Sequence, residues 1–282
     1  MNRLLVIVLT FLFVTITYSQ NLFIASGEDG LIYKYTPDGD RSIFASGLYS
    51  PQGLAFDSAG NLIVADGHGT IFKYTSNGER STFAQGLDSP AGLVYNSLGN
   101  IIMGQWYGGI YEYSLDGTQR MPVSEQINPY GLALGITGNL FVASRYEGIV
   151  YEYSKDWARS VYVIGLSNPT GLTFDSTGNM YVGDYSGSQI AKITPEGVKS
   201  TFASGLHDVI GLAFNGTGNL FAVSRGDNSV FEYTPDGVRS TFASGLLQPS
   251  YLVFEPVSVP EPISITTCGL ALTLFALWRK RE

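Results

Sequence analysis

A single pentapeptide pattern, Asn-Leu-Phe-Ile-Ala at residue 21, returns with substitutions at Asn61, Asn100, Asn139, Asn179 and Asn219, in steps of 40, 39, 39, 40 and 40 residues. A period this regular is the signature of a repeat architecture, in which each unit buries its apolar faces against its neighbours. Every unit has the same four beats, shown by the second repeat: NLIVAD (61–66), TIFKYT (70–75), RSTFAQGL (80–87) and PAGLVYN (90–96). Short apolar runs bounded by Gly, Asn, Asp and Pro read as β-strands joined by tight turns. The turns carry their own chemistry. Thr-Pro-Asp-Gly at 36–39 and 234–237 supplies Pro to preset φ and Gly to accept a left-handed conformation. Asp-Ser-Ala-Gly-Asn at 57–61 and Asp-Ser-Thr-Gly-Asn at 175–179 do the same between the fourth run and the next repeat. No repeat has room for a helix.

The expected fold is all-β, a six-bladed propeller with four antiparallel strands per blade. Stretches such as Ile32-Tyr33-Lys34-Tyr35 and Ile110-Tyr111-Glu112-Tyr113 carry large side chains on both faces, as a sheet covered on both sides needs. A one-faced sheet would alternate, a β-helix would have shorter coils, and leucine-rich repeats would show a Leu/Asn ladder. The Pro-x-Gly-Leu-x-Phe beat begins with small residues, which suits an innermost strand where wedge-shaped blades converge. The chain then enters at the second strand of a blade. Its last strand, Pro249 to Phe254, is expected to supply the missing inner strand for residues 21–47, closing the ring and removing an open edge.

The segments outside the repeats predict three parts: residues 1–19, 20–257 and 258–282. A basic start, an apolar run from Leu4 to Ile16 and small residues at Thr17 and Ser19, the −3 and −1 positions of a cut after Ser19, describe a secretory signal peptide; a membrane anchor is the alternative. Val259-Pro260-Glu261-Pro262 precedes an apolar stretch from Ile263 to Trp278, read as a transmembrane-type helix, and a terminal Arg279-Lys280-Arg281. The stretch is somewhat short against the ~20 residues a spanning helix needs. This order resembles the PEP-CTERM tail of exported bacterial proteins, over about 24 residues. The resemblance implies recognition by an exosortase near Pro260-Glu261-Pro262, with a simple C-terminal anchor as the alternative. Either reading places the repeats outside the cytoplasm, at the bacterial surface, envelope or matrix, and membrane-anchored before any processing.

Composition narrows the function classes. Without the two end segments the body keeps 12 of 16 Lys+Arg and 22 of 24 Asp+Glu, a net charge of −10. With no basic run, nucleic acid is excluded as a partner. The only cysteine, Cys268, lies in the tail, so the repeats offer no disulfide and no thiolate metal site.

Pro51-Gln52-Gly53-Leu54-Ala55-Phe56-Asp57, followed by Gly60-Asn61-Leu62-Ile63-Val64-Ala65-Asp66, resembles the NHL repeat, and at fold level the gluconolactonase/regucalcin family and the streptogramin lyases. The first family's pattern implies a divalent cation held by Glu, Asn and Asp, largely at the start of inner strands. The corresponding middle residues of the Pro-x-Gly beat here are Gln52, Ala91, Tyr130, Thr170, Ile210 and Ser250, none a carboxylate. No metal, no cofactor and no catalytic residue is therefore expected. Glu255 and Asp175 lie at the far ends of inner strands, where turn capping suits them. Lyases of the second group are seven-bladed and use a channel His with acidic partners, which His207-Asp208 could imitate only in part. No Gly-x-Ser-x-Gly, phosphate loop or HExxH is present.

Where the repeats diverge, they do so on one set of loops. Glu28-Asp29, Gly67-His68, Trp106-Tyr107, Arg145-Tyr146, Tyr185 and Arg225-Gly226-Asp227 follow second strands; Gln52, Tyr130, Asn168, Thr170, His207, Asp208 and Gln248 surround the entry to inner strands. Both sets are expected on one variable face, opposite the near-identical turns. The ligand-binding candidates are Trp106, Tyr107, Tyr130, Arg145, Tyr146, Tyr185, Arg225 and His207. Rigid aromatics with Arg make good anchors, and aromatic faces stack on sugars. The expectation is a binding or scaffold module, with extracellular polysaccharide or another envelope protein as partner. A lactonase- or lyase-type hydrolytic enzyme at the channel is the alternative.

Overall fold

The computed structural model describes residues 20–256. The leader, the Val259-Pro260-Glu261-Pro262 motif and the C-terminal apolar stretch lie outside the described residues. Within them are twenty-four strands in six four-stranded antiparallel sheets. Five sheets are built from consecutive strands, and the sixth pairs Leu22–Ser26 with Pro249–Phe254 on its inner side. The ring is thus closed by both ends of the repeat region, with Phe23 opposite Val253 and Ile24 opposite Leu252. Blades are numbered one to six from this composite blade.

Burial falls from the second strand outwards, as stacked blades require. Leu22–Ser26, Leu62–Asp66 and Leu220–Ser224 are buried at every position, whereas the outermost strands Arg41–Ala45 and Arg239–Ala243 expose their first three residues. These outer edges are guarded by charge. Arg41, Arg80, Arg159 and Arg239 each lie 4.9–5.1 Å over an aromatic ring of the third strand of their own blade, so they are part of the scaffold.

Two sequence motifs have a packing explanation. In four of the six seams an aromatic of the second strand meets one from its own outer strand and one from the next blade's inner strand. Phe23 packs edge-on against Phe44 and Phe56, and Phe141, Tyr181 and Phe221 repeat the arrangement. Such pairs contribute about 0.5–1.5 kcal/mol each beyond area burial. The glycine of Pro-x-Gly packs backbone to backbone against the next blade. A Cβ on Gly53, Gly131 or Gly171 would stand 2.0–2.2 Å from the carbonyl oxygen of Ala91, Thr170 or Ile210.

The sixth place in that ring of glycines is Tyr251, in blade one. Its side chain crosses the axis, and its hydroxyl donates to the carbonyl of Tyr130, in blade four, at 2.7 Å. The two rings stack with centroids 6.0 Å apart. The seam that cannot close on a glycine is also the irregular one: blade two's inner strand is only Leu54–Phe56, against six residues in the other five. Beneath the two tyrosines the inner strands line an open pocket of about 320 Å³, with apolar groups such as Ala55, Val94, Ala133 and Val253 on its wall.

Candidate functional site

Loops entering the inner strands and loops leaving the second strands do share one face. The Trp106, Arg145, Tyr185 and Arg225 amides donate to the carbonyls of Ser89, Asn128, Asn168 and Asp208 at 3.0–3.3 Å. Ser89, Asn128 and Asp208 take positive φ (45°, 49° and 58°), as do Ser50 and Gln248, which turns the chain sharply into the inner strand. A second tie comes from the end of the second strand. The buried Asp66 carboxylate accepts from the Tyr49 and His68 amides, and Asp184 from those of Ser167 and Asn168. The Asp that closes the NHL-like pattern is therefore a loop clamp, and the variable face stands on a rigid base.

The candidates divide into two groups. Trp106 and Tyr107 of blade three, Tyr130, Arg145 and Tyr146 of blade four, and Tyr185 of blade five form one continuous arc. At its centre the Arg145 guanidinium carbon lies 4.5 Å from the Tyr185 ring, 4.9 Å from that of Tyr130 and 5.7 Å from that of Trp106. Its Nε donates to Asn168 Oδ1 at 3.2 Å. Trp106 meets Tyr130 edge-on at 5.1 Å and stacks with Tyr107 at 5.9 Å. Tyr107 and Tyr146 are exposed, 56% and 57%, and the Tyr146 hydroxyl beside Tyr107 raises the latter's pKa.

Tyr130 is the buried member of this arc and forms its floor. It is 1% exposed, and its hydroxyl, like the Trp106 indole N–H, is buried without a hydrogen-bond partner among the described residues. Burial holds the hydroxyl protonated above the usual tyrosine range, with Arg145 and Arg225 pulling the other way. The entry positions Gln52 and Thr170 are likewise buried; the Thr170 hydroxyl donates to the Val209 carbonyl of the next blade at 2.7 Å, with the Gly183 carbonyl of its own blade also within reach at 3.0 Å.

His207 and Arg225 make the second group, on blade six. His207 is paired with Asp227, Nδ1 to Oδ1 at 2.7 Å, rather than with its chain neighbour Asp208. Burial works against ionisation of Asp227, but hydrogen bonds from Ser224 and His207 outweigh it and hold the carboxyl below its ordinary range. A carboxylate on Nδ1 leaves Nε2 of a 71%-exposed imidazole facing outwards, the geometry of an exposed acid–base dyad. The same ties occupy the aspartate of Arg225-Gly226-Asp227, and the Arg225 guanidinium donates to Gln248.

Three features were not anticipated from sequence: the Tyr251 crossing, the Asp227 partnership, and a parallel stack of Tyr49 on His68 at 3.8 Å. Tyr251 carries a signal, since it alone replaces the repeat's glycine. The other two join residues 20 and 19 positions apart with no motif to link them. At the opposite face the turns are self-contained. Asp57 and Asp175 each accept from backbone amides two and four residues on, and the Glu255 carboxylate accepts from the Asn21 side-chain Nδ2. Among the described residues no three His, Cys, Asp or Glu side chains come together as a metal site would need.

The protein is a six-bladed propeller, and solved structures of several different proteins share its fold. A chain from a nidogen/laminin complex superposes with a TM-score of 0.77 at 19% identity, covering 84% of this chain and 99% of that one. A putative gluconolactonase gives 0.67 at 15% identity, over 84% and 95%. A catalytically inactive virginiamycin B lyase from Staphylococcus aureus with quinupristin gives 0.64 at 15% identity, over 86% and 94%. At these identities the likeness is one of fold. No family model matches the chain, and no curated protein matches it.

Proposed function

We propose that this protein is an exported bacterial binding or scaffold module that holds an envelope or matrix ligand, a polysaccharide in the first instance, on its variable face. The observation that carries the reading is the arc around Arg145. Three rings locked on one guanidinium present the exposed Tyr107 and Tyr146 as a pre-organised platform, and rigid anchors lose little entropy on binding. The axis beside it is spanned by Tyr130 and Tyr251, which favours surface recognition over chemistry in a deep channel. The related propeller from a nidogen/laminin complex is a precedent for this architecture in a partner-bound assembly.

The chain ends support the same orientation. Glu255 N donates to the Asn21 carbonyl at 2.9 Å, so both ends of the ring meet on the face opposite the arc. A tail continuing from there to the Val259-Pro260-Glu261-Pro262 motif and an exosortase would leave the variable face directed outwards. In a polysaccharide co-sedimentation assay Trp106→Ala is expected to remove binding while the fold persists. Retained binding would count against the arc.

A second reading, a lyase- or lactonase-type enzyme, draws on the His207–Asp227 pair and on the enzymes among the structural neighbours. Turnover of a lactone or cyclic depsipeptide that is lost in His207→Ala would establish it in place of the binding reading.

A further inference from the structure

Seven arginines fall among the described residues, and five have structural employment. Arg41, Arg80, Arg159 and Arg239 lie over third-strand rings, and Arg120 pairs with the buried Glu112. The remaining two, Arg145 and Arg225, are both on the variable face, and neither is in an ion pair among the described residues. That is unusual company for a chain with 24 acidic residues and a net charge of −8. Glu147, the nearest carboxylate in sequence to Arg145, is turned away and held by Ser144 and the Tyr151 hydroxyl.

The surroundings of Arg145 are donors. Its Nε is committed to Asn168, which fixes the plane of the guanidinium and leaves the two Nη nitrogens for another acceptor. Beside it are two donors buried without a partner, the Tyr130 hydroxyl and the Trp106 indole N–H; the other two orphaned groups of the face, Asp29 Oδ1 and Gln52 Oε1, are acceptors on blades one and two. Tyr130 is buried, protonated, and close enough to feel both Arg145 and Arg225. A guanidinium fork with an indole N–H and a phenol O–H at its side, and no protein carboxylate, has the chemistry of an anion subsite. The flanking Trp106, Tyr107 and Tyr185 rings add flat apolar surface on which a sugar ring can lie.

We propose that the Arg145 cluster is a carboxylate-binding subsite, and that the ligand of the variable face is an acidic, uronic-acid-containing polysaccharide. The sugar carboxylate takes the Arg145 fork, with the Tyr130 hydroxyl and the Trp106 indole as supporting donors, and the aromatic arc holds the pyranose faces. This rests on the binding-face reading above and adds the charge of the ligand to it.

The test uses the full chain in detergent, with polygalacturonate and alginate as probes, each beside its carboxyl-reduced, neutral form. The expected result is binding of an acidic polymer that weakens at least tenfold on carboxyl reduction. Arg145→Gln should weaken the acidic polymer by the same factor and abolish its advantage over the neutral form. Arg145→Lys, which keeps the charge but not the fork, should fall between, and Tyr130→Phe should weaken binding severalfold with the ring retained. Free sulfate and acetate at equal charge concentration should compete poorly, which separates the polymer from a simple anion. Equal binding of acidic and neutral polymers, or unchanged affinity in a folded Arg145→Gln protein, would overturn the carboxylate subsite and leave the binding face standing. Absence of binding to every polysaccharide would overturn both.

Discussion

The Tyr251 hydroxyl reaches across the propeller axis and donates to the Tyr130 carbonyl at 2.7 Å, joining blade one to blade four. The innermost strand of each blade has one edge facing the axis, where its backbone groups lack a neighbouring strand. Tyr251 satisfies one of those carbonyls from the far side. It also backs Tyr130, on which Arg145 rests. A residue of the closing strand thereby supports the candidate site directly.

Removing only that hydroxyl should therefore be felt. Tyr251→Phe is expected to cost about 1 kcal/mol, the usual net worth of a buried hydrogen bond. For a domain of this size that is a fall of roughly 2–4 °C in Tm, measurable by calorimetry. An unchanged Tm would mean that the crossing contributes nothing.

The glycine ring makes a positional prediction. In Gly131→Ala the new Cβ would stand 2.0 Å from the Thr170 carbonyl oxygen, so the seam between blades four and five must shift. Overpacking of this kind costs about 3 kcal/mol. Gly117→Ala, in a turn with φ 82° and nothing within 4 Å, meets only the left-handed penalty, about 1 kcal/mol. Urea midpoints of the two variants compare them directly, and similar losses would contradict the packing account.

Alkali should unfold the propeller through its buried tyrosines. Burial pushes Tyr113 and Tyr153 up to about 12, against 10 in a solvated chain. Between these values the folded protein keeps protons that the unfolded chain has released, so stability is complete below pH 10 and declines as pH rises towards 12. Ultraviolet titration should find tyrosines that ionise only with loss of near-ultraviolet circular dichroism. Full ionisation near pH 10 in a folded protein would refute it.

The six blades, the strand order and the closing of the ring at Leu252 were legible because each rests on local patterns: a 39–40-residue period, turn chemistry and the phase of Pro-x-Gly. So was the division into two faces, since loop order along the chain dictates it. Depth was not legible. Tyr130 reads like Trp106 or Tyr146 as a loop aromatic, yet it turns inwards beneath Arg145, because it lies on the innermost strand, where its ring meets Trp106 of the preceding blade and Tyr251 across the axis. The His207–Asp227 pair was hidden for another reason: Asp208 is adjacent in sequence, but Asp227 is adjacent in space through the loop after the neighbouring strand. Pairings between loops depend on how the loops are clamped, which local patterns do not record.

The claim that the variable face is the binding face is tested most directly by comparing substitutions on the two faces in one binding titration. Trp106→Ala on the arc and Ile136→Ser, an 82%-exposed residue of the opposite turns, should both fold with little change in Tm. The account predicts at least a tenfold loss of polysaccharide affinity for Trp106→Ala, as for a central anchor, and none for Ile136→Ser. Loss on Ile136→Ser with full affinity in Trp106→Ala would contradict it.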